Sequence, residues 1–212
     1  MRQINLAEVA TGLAGTLRRN PAGEPISVLG PTLLRLLARG KPVAPSEIAA
    51  ATAVSLEEVR ARLAAFPDAE LDEDGNLVGM GLTLRPTQHR FQIDGRQLYT
   101  WCALDTLMYP LLLGGTANVE SPCRATGEPV RVEVGPEGIR RVEPVTAVVS
   151  IVVPKDSTSN LRGSFCSEVH FFRSEEVAHE WLSSHPGALI LSVRDAFELG
   201  RMLNDATFGA CC

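Results

Sequence analysis

The sequence lacks any apolar run near the roughly 20 residues that a membrane-crossing helix needs, so no membrane span is expected. It lacks a Cys-x-x-Cys pair, the mark of a thioredoxin-type site or a zinc knuckle. It lacks a basic excess: 20 Lys and Arg face 25 Asp and Glu, a net charge of −5. That balance disfavours a general nucleic-acid-binding role. No glycine-rich nucleotide motif is present. The start, Met1-Arg2-Gln3-Ile4-Asn5, has neither the apolar stretch nor the small-residue cleavage site of a secretion signal. A cytoplasmic location follows as the expectation, and thiols stay reduced there.

What is present is 212 residues, 45% of them hydrophobic. That suffices for one large domain or two small ones with a real core. The five cysteines are Cys102, Cys123, Cys166, Cys211 and Cys212. An odd count at wide spacing argues against a disulfide framework.

The first part reads as helical. Leu6, Val9, Leu13 and Leu17 recur at helical spacing over 5–19, and Asn20-Pro21-Ala22-Gly23 breaks the pattern. Residues 31–39 predict a second helix, stopped by Gly40. A short helix over 48–52 follows. Ser55 with Glu58 then forms a capping-box pattern for a helix running to Pro67. Residues 70–83 read as a hairpin turning at Asp74-Gly75-Asn76. Together these describe a winged-helix-like N-terminal domain over 1–83. Its candidate wing carries Asp68, Glu70, Asp72, Glu73 and Asp74, which phosphates would repel. A scaffold that does not bind DNA is therefore expected.

From residue 84 the texture changes to a mixed α/β domain over 84–212, so the fold class is α+β. Strands are predicted at 90–93, 116–120, 130–134, 145–153, 164–172 and 188–192. Helices are predicted over 98–113, 174–183 and 193–204, with Pro110 kinking or ending the first and Gly114-Gly115 closing it. The sheets are expected to be antiparallel or mixed.

Trp101-Cys102-Ala103-Leu104-Asp105 carries the most chemistry. On a helix, Cys102 and Asp105 share one face. With Thr100 as N-cap, Cys102 falls in the first turn, where unpaired N–H groups and the dipole favour a thiolate. A nucleophile then stands beside a proton carrier. The inert alternative is a packed thiol near an exposed carboxylate.

Cys166 lies in Gly163-Ser164-Phe165-Cys166-Ser167-Glu168-Val169-His170. As a strand, this puts Cys166, Glu168 and His170 on one face and Phe165, Val169 and Phe171 on the other. Cys166 and His170 would then stand about 13 Å apart, too far to share an ion. His89, His179 and His185 read as surface residues. Cys123, among Pro122 and Gly127, reads as a packed structural thiol in a loop. Cys211-Cys212 follows the small pair Gly209-Ala210, and reads as either incidental or a thiophilic-metal carrier.

The run Arg96-Gln97-Leu98-Tyr99-Thr100-Trp101-Cys102-Ala103-Leu104-Asp105-Thr106-Leu107 resembles the active-site segment of organomercurial (alkylmercury) lyases. Ser164-Phe165-Cys166, followed by Val169-His170-Phe171-Phe172, resembles their second cysteine segment. Asp74-Gly75-Asn76 and Gly79-Met80-Gly81-Leu82-Thr83-Leu84 resemble the family's stretch between its two domains. The likeness runs from about residue 33 to 204. It implies that Cys102 and Cys166 bind mercury, that Asp105 delivers the proton and contacts mercury, and that Cys123 is structural. It implies a winged-helix-like domain over 1–83 joined to a mixed α/β catalytic, mercury-binding domain over 84–212. Ser167 stands where some relatives carry a further cysteine. Cys211-Cys212 lies outside the usual pattern and is similar to the vicinal C-terminal cysteines of mercuric reductases.

The implied chemistry is protonolysis of an alkyl- or aryl-mercury bond to a hydrocarbon and Hg(II), a detoxification. Hg(II) is soft and thiolate is the soft ligand. A positioned acid must protonate the carbon. No cofactor is implied, since Hg(II) is a product. Free small thiols, and a mercuric reductase, are the expected acceptors, with Cys211 and Cys212 assisting hand-off. Two other readings stay open at this stage. One is a winged-helix thiol-based metal sensor that controls transcription, and the other is a thiol hydrolase, for which Cys102 lacks an evident His partner.

Overall fold

The computed structural model describes residues 4–18, 29–153 and 161–209. The chain opens with four helices: α1 (Leu6–Arg18), α2 (Gly30–Leu37), α3 (Pro45–Thr52) and α4 (Leu56–Ala65). Pro31 starts α2, where its missing N–H costs nothing, and Leu33, Leu34, Leu36 and Leu37 are all buried. Ser55 caps α4 by accepting from the Glu58 N–H at 3.2 Å. The expected capping box is only half made, because the Glu58 carboxylate accepts from Arg62 Nε at 2.8 Å instead.

Three short strands follow: β1 (Glu70–Leu71), β2 (Leu77–Met80) and β3 (Leu82–Thr83). Asp72 shapes the turn between the first two, accepting from the N–H groups of Asp74 and Asn76 at 3.1 and 2.8 Å. Next come β4 (His89–Ile93), β5 (Arg96–Thr100), α5 (Ala103–Leu113), β6 (Ala117–Pro122), β7 (Pro129–Gly135) and β8 (Gly138–Glu143). All eight strands form one antiparallel sheet, ordered β1-β2-β3-β5-β4-β6-β7-β8. The β3–β5 pairing, with Leu82 opposite Thr100, carries the sheet without a break from the wing into the rest of the chain. In β4 the buried His89, Phe91 and Ile93 alternate with exposed Arg90 and Gln92. One sheet face therefore packs under α5 and the other meets solvent.

A second antiparallel sheet has the order β10-β9-β11, from β9 (Val148–Ile151), β10 (Phe171–Phe172) and β11 (Leu189–Ser192). Helix α6 (Leu161–Ser164) and a 3₁₀ turn (Cys166–Glu168) precede β10. Helix α7 (Glu175–Ser184) is capped by Ser174, and α8 (Val193–Phe208) by Ser192. The last helix packs on both α1 and α5. Gly200 permits the close crossing with α5, since a Cβ there would lie 2.8 Å from that of Met108.

Four expectations need correction. Residues 98–113 are a strand end and then a helix, because residues 96–100 pair with β4 and β3. Pro110 lies inside α5 without ending it, and Gly114 closes the helix with a left-handed φ of 72°. The strand expected over 145–153 is only Val148–Ile151; Val145 follows Pro144 and is 87% exposed. The strand expected over 164–172 is instead the 3₁₀ turn and a two-residue strand. The alternation there reflected a coil that buries Phe165, Cys166, Val169 and His170 together.

Candidate active site

Cys102 is the N-cap of α5, not a residue of its first turn, because Thr100 belongs to β5 and the helix begins two residues later than expected. The Thr100 hydroxyl nevertheless steadies the junction by donating to the Cys102 carbonyl at 3.0 Å. Asp105 is the third helical residue, and its Oδ2 accepts from the Cys102 N–H at 3.1 Å. That is a capping box with a carboxylate at N3. The pairing of Cys102 with Asp105 is thus a local consequence of how this helix begins.

Cys166 comes from far along the chain. The Ala103 N–H, an orphan donor of the first turn, reaches the Val169 carbonyl at 3.1 Å, and the Val169 N–H donates to the Cys166 carbonyl at 3.3 Å. Ser150 in β9 fixes the same segment: its hydroxyl donates to the Glu168 carbonyl at 2.8 Å and accepts from the His170 N–H at 2.9 Å. As a result the Cys102 and Cys166 sulfurs and an Asp105 oxygen all lie within 4.8 Å of one another.

Burial sets the electrostatics. It pushes the Cys102 thiol well above its ordinary pKa, aided by its hydrogen bond to Cys166 and the nearby Asp105 charge. The helix start therefore holds a neutral thiol, not the thiolate expected from the dipole, because desolvation outweighs the dipole here. At Cys166 that same hydrogen bond pulls the pKa down, but burial and the charges of Asp105 and Asp68 outweigh it. Burial raises Asp105 to about 6, against hydrogen bonds from the Cys102 thiol, the Tyr109 hydroxyl and the Cys102 N–H. At neutral pH the trio is two thiols and a carboxylate.

An apolar cavity of about 120 Å³ opens onto this trio. Leu34, Phe66, Met80, Met108, Phe165 and Leu203 are among its walls. Cys166 and Asp105 line it, at 5% and 8% exposure, while Cys102 stands behind them at 0%.

The sequence reading missed the group that closes the site. Glu70, read as part of a repellent wing, is buried. It accepts from Trp101 Nε1 at 2.8 Å and from the Thr83 hydroxyl at 2.7 Å, and it pairs with Arg162. The Arg162 guanidinium also covers the Trp101 ring at 5.2 Å. Asp68 accepts from the Leu161 N–H at 2.7 Å. The wing thereby holds the segment that carries Cys166. The nearest signal in the sequence was Trp101, whose indole N–H needs a partner once buried.

The remaining sequence candidates fall elsewhere. Cys123 is a buried thiol past the end of β6, outside the trio, and its N–H donates to the Glu128 carbonyl at 2.7 Å. Burial raises its pKa, but the Thr126 hydroxyl and the N–H groups of Arg173, Thr126 and Ala125 outweigh that and leave it lowered. His89 is not at the surface: it begins β4, 1% exposed, with Nδ1 2.9 Å from Ser121 Oγ. Cys211 and Cys212 lie outside the described residues.

The family described as "Alkylmercury lyase" matches residues 82–205, and "Helix-turn-helix domain of alkylmercury lyase" matches residues 8–81. The chain is 48% identical to the alkylmercury lyase of Bacillus cereus over 216 residues, covering 99% of each. It is 49% identical to that of Staphylococcus epidermidis, covering 98% of each. The chain belongs to the alkylmercury lyase family. Members of this family are enzymes that cleave carbon–mercury bonds. Among solved structures, the mercury-bound form of MerB2 superposes with a TM-score of 0.78 at 27% identity, covering 94% of this chain and 98% of that one. The α+β fold, with its N-terminal helical region and antiparallel sheets, is that of an alkylmercury lyase, and the sensor reading is not favoured.

Proposed function

We propose that this alkylmercury lyase carries out protonolysis through Cys102, Asp105 and Cys166. The observation that carries the reading is the convergence of two neutral thiols and one carboxylate within 4.8 Å at the floor of an apolar cavity. A substrate R–Hg–X places R in the cavity and mercury among the sulfurs. A cavity of ~150 Å³ lined by apolar side chains holds benzene, so the 120 Å³ here suits a phenyl or short alkyl group.

Coordination to mercury makes a thiol give up its proton. Asp105, ionised at neutral pH with a pKa of about 6, accepts one such proton. The second thiolate adds electron density to mercury and weakens the carbon–mercury bond. The bond's electron pair then takes the proton from Asp105. The balance is R–Hg–X plus two thiols giving R–H, Hg(II) bound by Cys102 and Cys166, and HX. No electron is exchanged with an outside partner, so the proposal needs no cofactor.

Bound by two thiolates, Hg(II) leaves by exchange onto other thiols. Small thiols and a mercuric reductase are the proposed acceptors. Phe208, the last residue of α8, lines the cavity. Cys211 is three residues further on, a span of at most about 11 Å. We assign Cys211 and Cys212 to that hand-off. Residues 1–83 serve as a clamp that does not bind nucleic acid, since their turn at Asp72, Glu73 and Asp74 is acidic. Residues 84–212 carry the chemistry. Among the described residues no helix is long and apolar enough to cross a membrane, and the proposed location is the cytoplasm.

The test incubates purified protein with phenylmercury and excess small thiol. Benzene formation that disappears in Cys102→Ala and in Cys166→Ala supports the assignment. Stoichiometric mercury binding without benzene overturns it.

A further inference from the structure

Three helices each turn one face to the apolar cavity. Helix α5 presents Asp105 and Met108, three residues apart, and α8 presents Leu203 and Thr207, four apart. The third face belongs to α2, in the stretch that matches the helix-turn-helix domain, and it carries Gly30 and Leu34, again four apart. The N-terminal part of the chain therefore does more than hold the Cys166 segment in place. It supplies a wall of the cavity into which the organic group is placed.

The three walls differ in how freely they can change size. Helices α5 and α8 interlock. A Cβ at Gly200 would stand 2.8 Å from the Cβ of Met108, and the Asn204 amide donates to the Met108 carbonyl at 2.9 Å. A change in either wall disturbs that crossing, and α5 also holds Asp105. Helix α2 carries neither burden. Pro31 starts it, the buried Leu33, Leu36 and Leu37 fix it, and it packs on α5 and β2. On its cavity face, Gly30 precedes Pro31 in helical backbone, where a Cβ would meet the proline ring. That position stays bare, and Leu34, 3% exposed, supplies the side chain of the wall.

We propose that α2 is the specificity wall of this lyase, with Leu34 setting the largest organic group that reaches the thiols. The proposal rests on R occupying the cavity. Packed interiors yield little to an oversized group. A two-ring aryl group needs more room than the ~150 Å³ that holds benzene, and the cavity here offers about 120 Å³. Methyl, short alkyl and single-ring aryl groups are thus the class admitted, and Leu34 is the side chain that excludes larger ones.

The test compares kcat/KM for methylmercury and naphthylmercury, by methane and naphthalene release, in the parent, Leu34→Val and Leu34→Ala. Thermal melts check folding, and Leu34→Val covers the case in which the alanine variant folds poorly. The naphthyl-to-methyl ratio is expected to rise at least about tenfold in Leu34→Ala, and by less in Leu34→Val. An equal loss on both substrates overturns the proposal, because it marks a packing role only. So does an unchanged ratio. Phe208→Ala, at the end of α8 and on the same cavity, separates the two readings. If it raises the ratio and Leu34→Ala does not, R occupies the cavity and the α2 proposal alone falls. If neither variant raises it, the placement of R in the cavity falls as well.

Discussion

Glu70 of the wing and Arg162 of the segment leading to Cys166 form an ion pair against the Trp101 indole. The carboxylate end of this pair is buried, while the guanidinium is half exposed. Glu70 also ties down Trp101, the neighbour of Cys102. The pair therefore links the segments that carry Cys102 and Cys166 to the N-terminal part of the chain.

Breaking that link should affect activity more than folding. Arg162→Ala leaves Glu70 with Trp101 and Thr83 as donors, so the carboxylate is not abandoned. A stability loss of about 1–3 kcal/mol is expected from the lost charged partner. Phenylmercury kcat/KM should fall at least about tenfold, because a small misplacement of a reacting group is costly. Paired urea melts and benzene-release rates check this. Glu70→Gln should do more harm to stability, since it removes the charge facing Arg162 and replaces one of the two oxygens that serve three donors with an amide NH2, itself a donor.

Activity should titrate with Asp105. The carboxylate must be ionised to take a thiol proton, and its pKa is about 6. kcat/KM should therefore fall about tenfold per unit below pH 6. Above it the rate should hold until the thiols ionise, at a pH raised by burial. The raised carboxyl pKa also disfavours the folded state above pH 6. Relative to the ordinary 3.8, the shift to about 6 corresponds to roughly 3 kcal/mol. Asp105→Asn should accordingly melt higher than the parent at pH 7.5 and lose that advantage near pH 4.

His89 should make the fold acid-sensitive. Burial, then the nearby His170, depresses its pKa from 6.5 to about 3. Its neutral ring meets Ser121 Oγ at Nδ1 and the Gln88 amide at Nε2. The depressed value means that the unfolded chain binds the extra proton. Stability from this group is complete above pH 6.5 and is lost as pH falls toward about 3, at up to about 1.4 kcal/mol per unit. Urea melts at pH 7.5 and pH 5 should show a smaller acid loss in His89→Gln than in the parent. His170, depressed to about 4, keeps part of the slope in both.

Removing the terminal thiols should slow product release and spare chemistry. In Cys211→Ala/Cys212→Ala, the first turnover should match the parent. Steady-state turnover at low thiol concentration should fall several-fold and recover as thiol is raised. Identical steady-state rates at every thiol concentration would remove the hand-off role.

The half of the site made locally was legible in the sequence. Cys102 and Asp105 stand three residues apart where a helix begins, and helix geometry alone brings them together. That Cys166 meets them came only through the family resemblance, since its approach depends on the Ala103–Val169 bond and on Ser150 in another strand. Glu70 was misread because its neighbours in sequence, Asp72, Glu73 and Asp74, suggest a solvated acidic turn; its partners lie some 30 and 90 residues away. Strand β8 (Gly138–Glu143) went unpredicted because Arg140, Arg141 and Glu143 face solvent and Ile139 is its one buried apolar residue. The elements with strong periodicity or clear caps, α2, α7 and α8, were visible from the start.

The central claim is that Asp105 carries the proton from thiol to carbon. The most direct test is a single turnover of Asp105→Asn with phenylmercury, followed by intact-protein mass. Both thiols remain, so the account predicts a lasting protein–phenylmercury adduct and little benzene, where the parent ends as protein with bare Hg(II). Benzene release by Asp105→Asn at the parent's rate would contradict it.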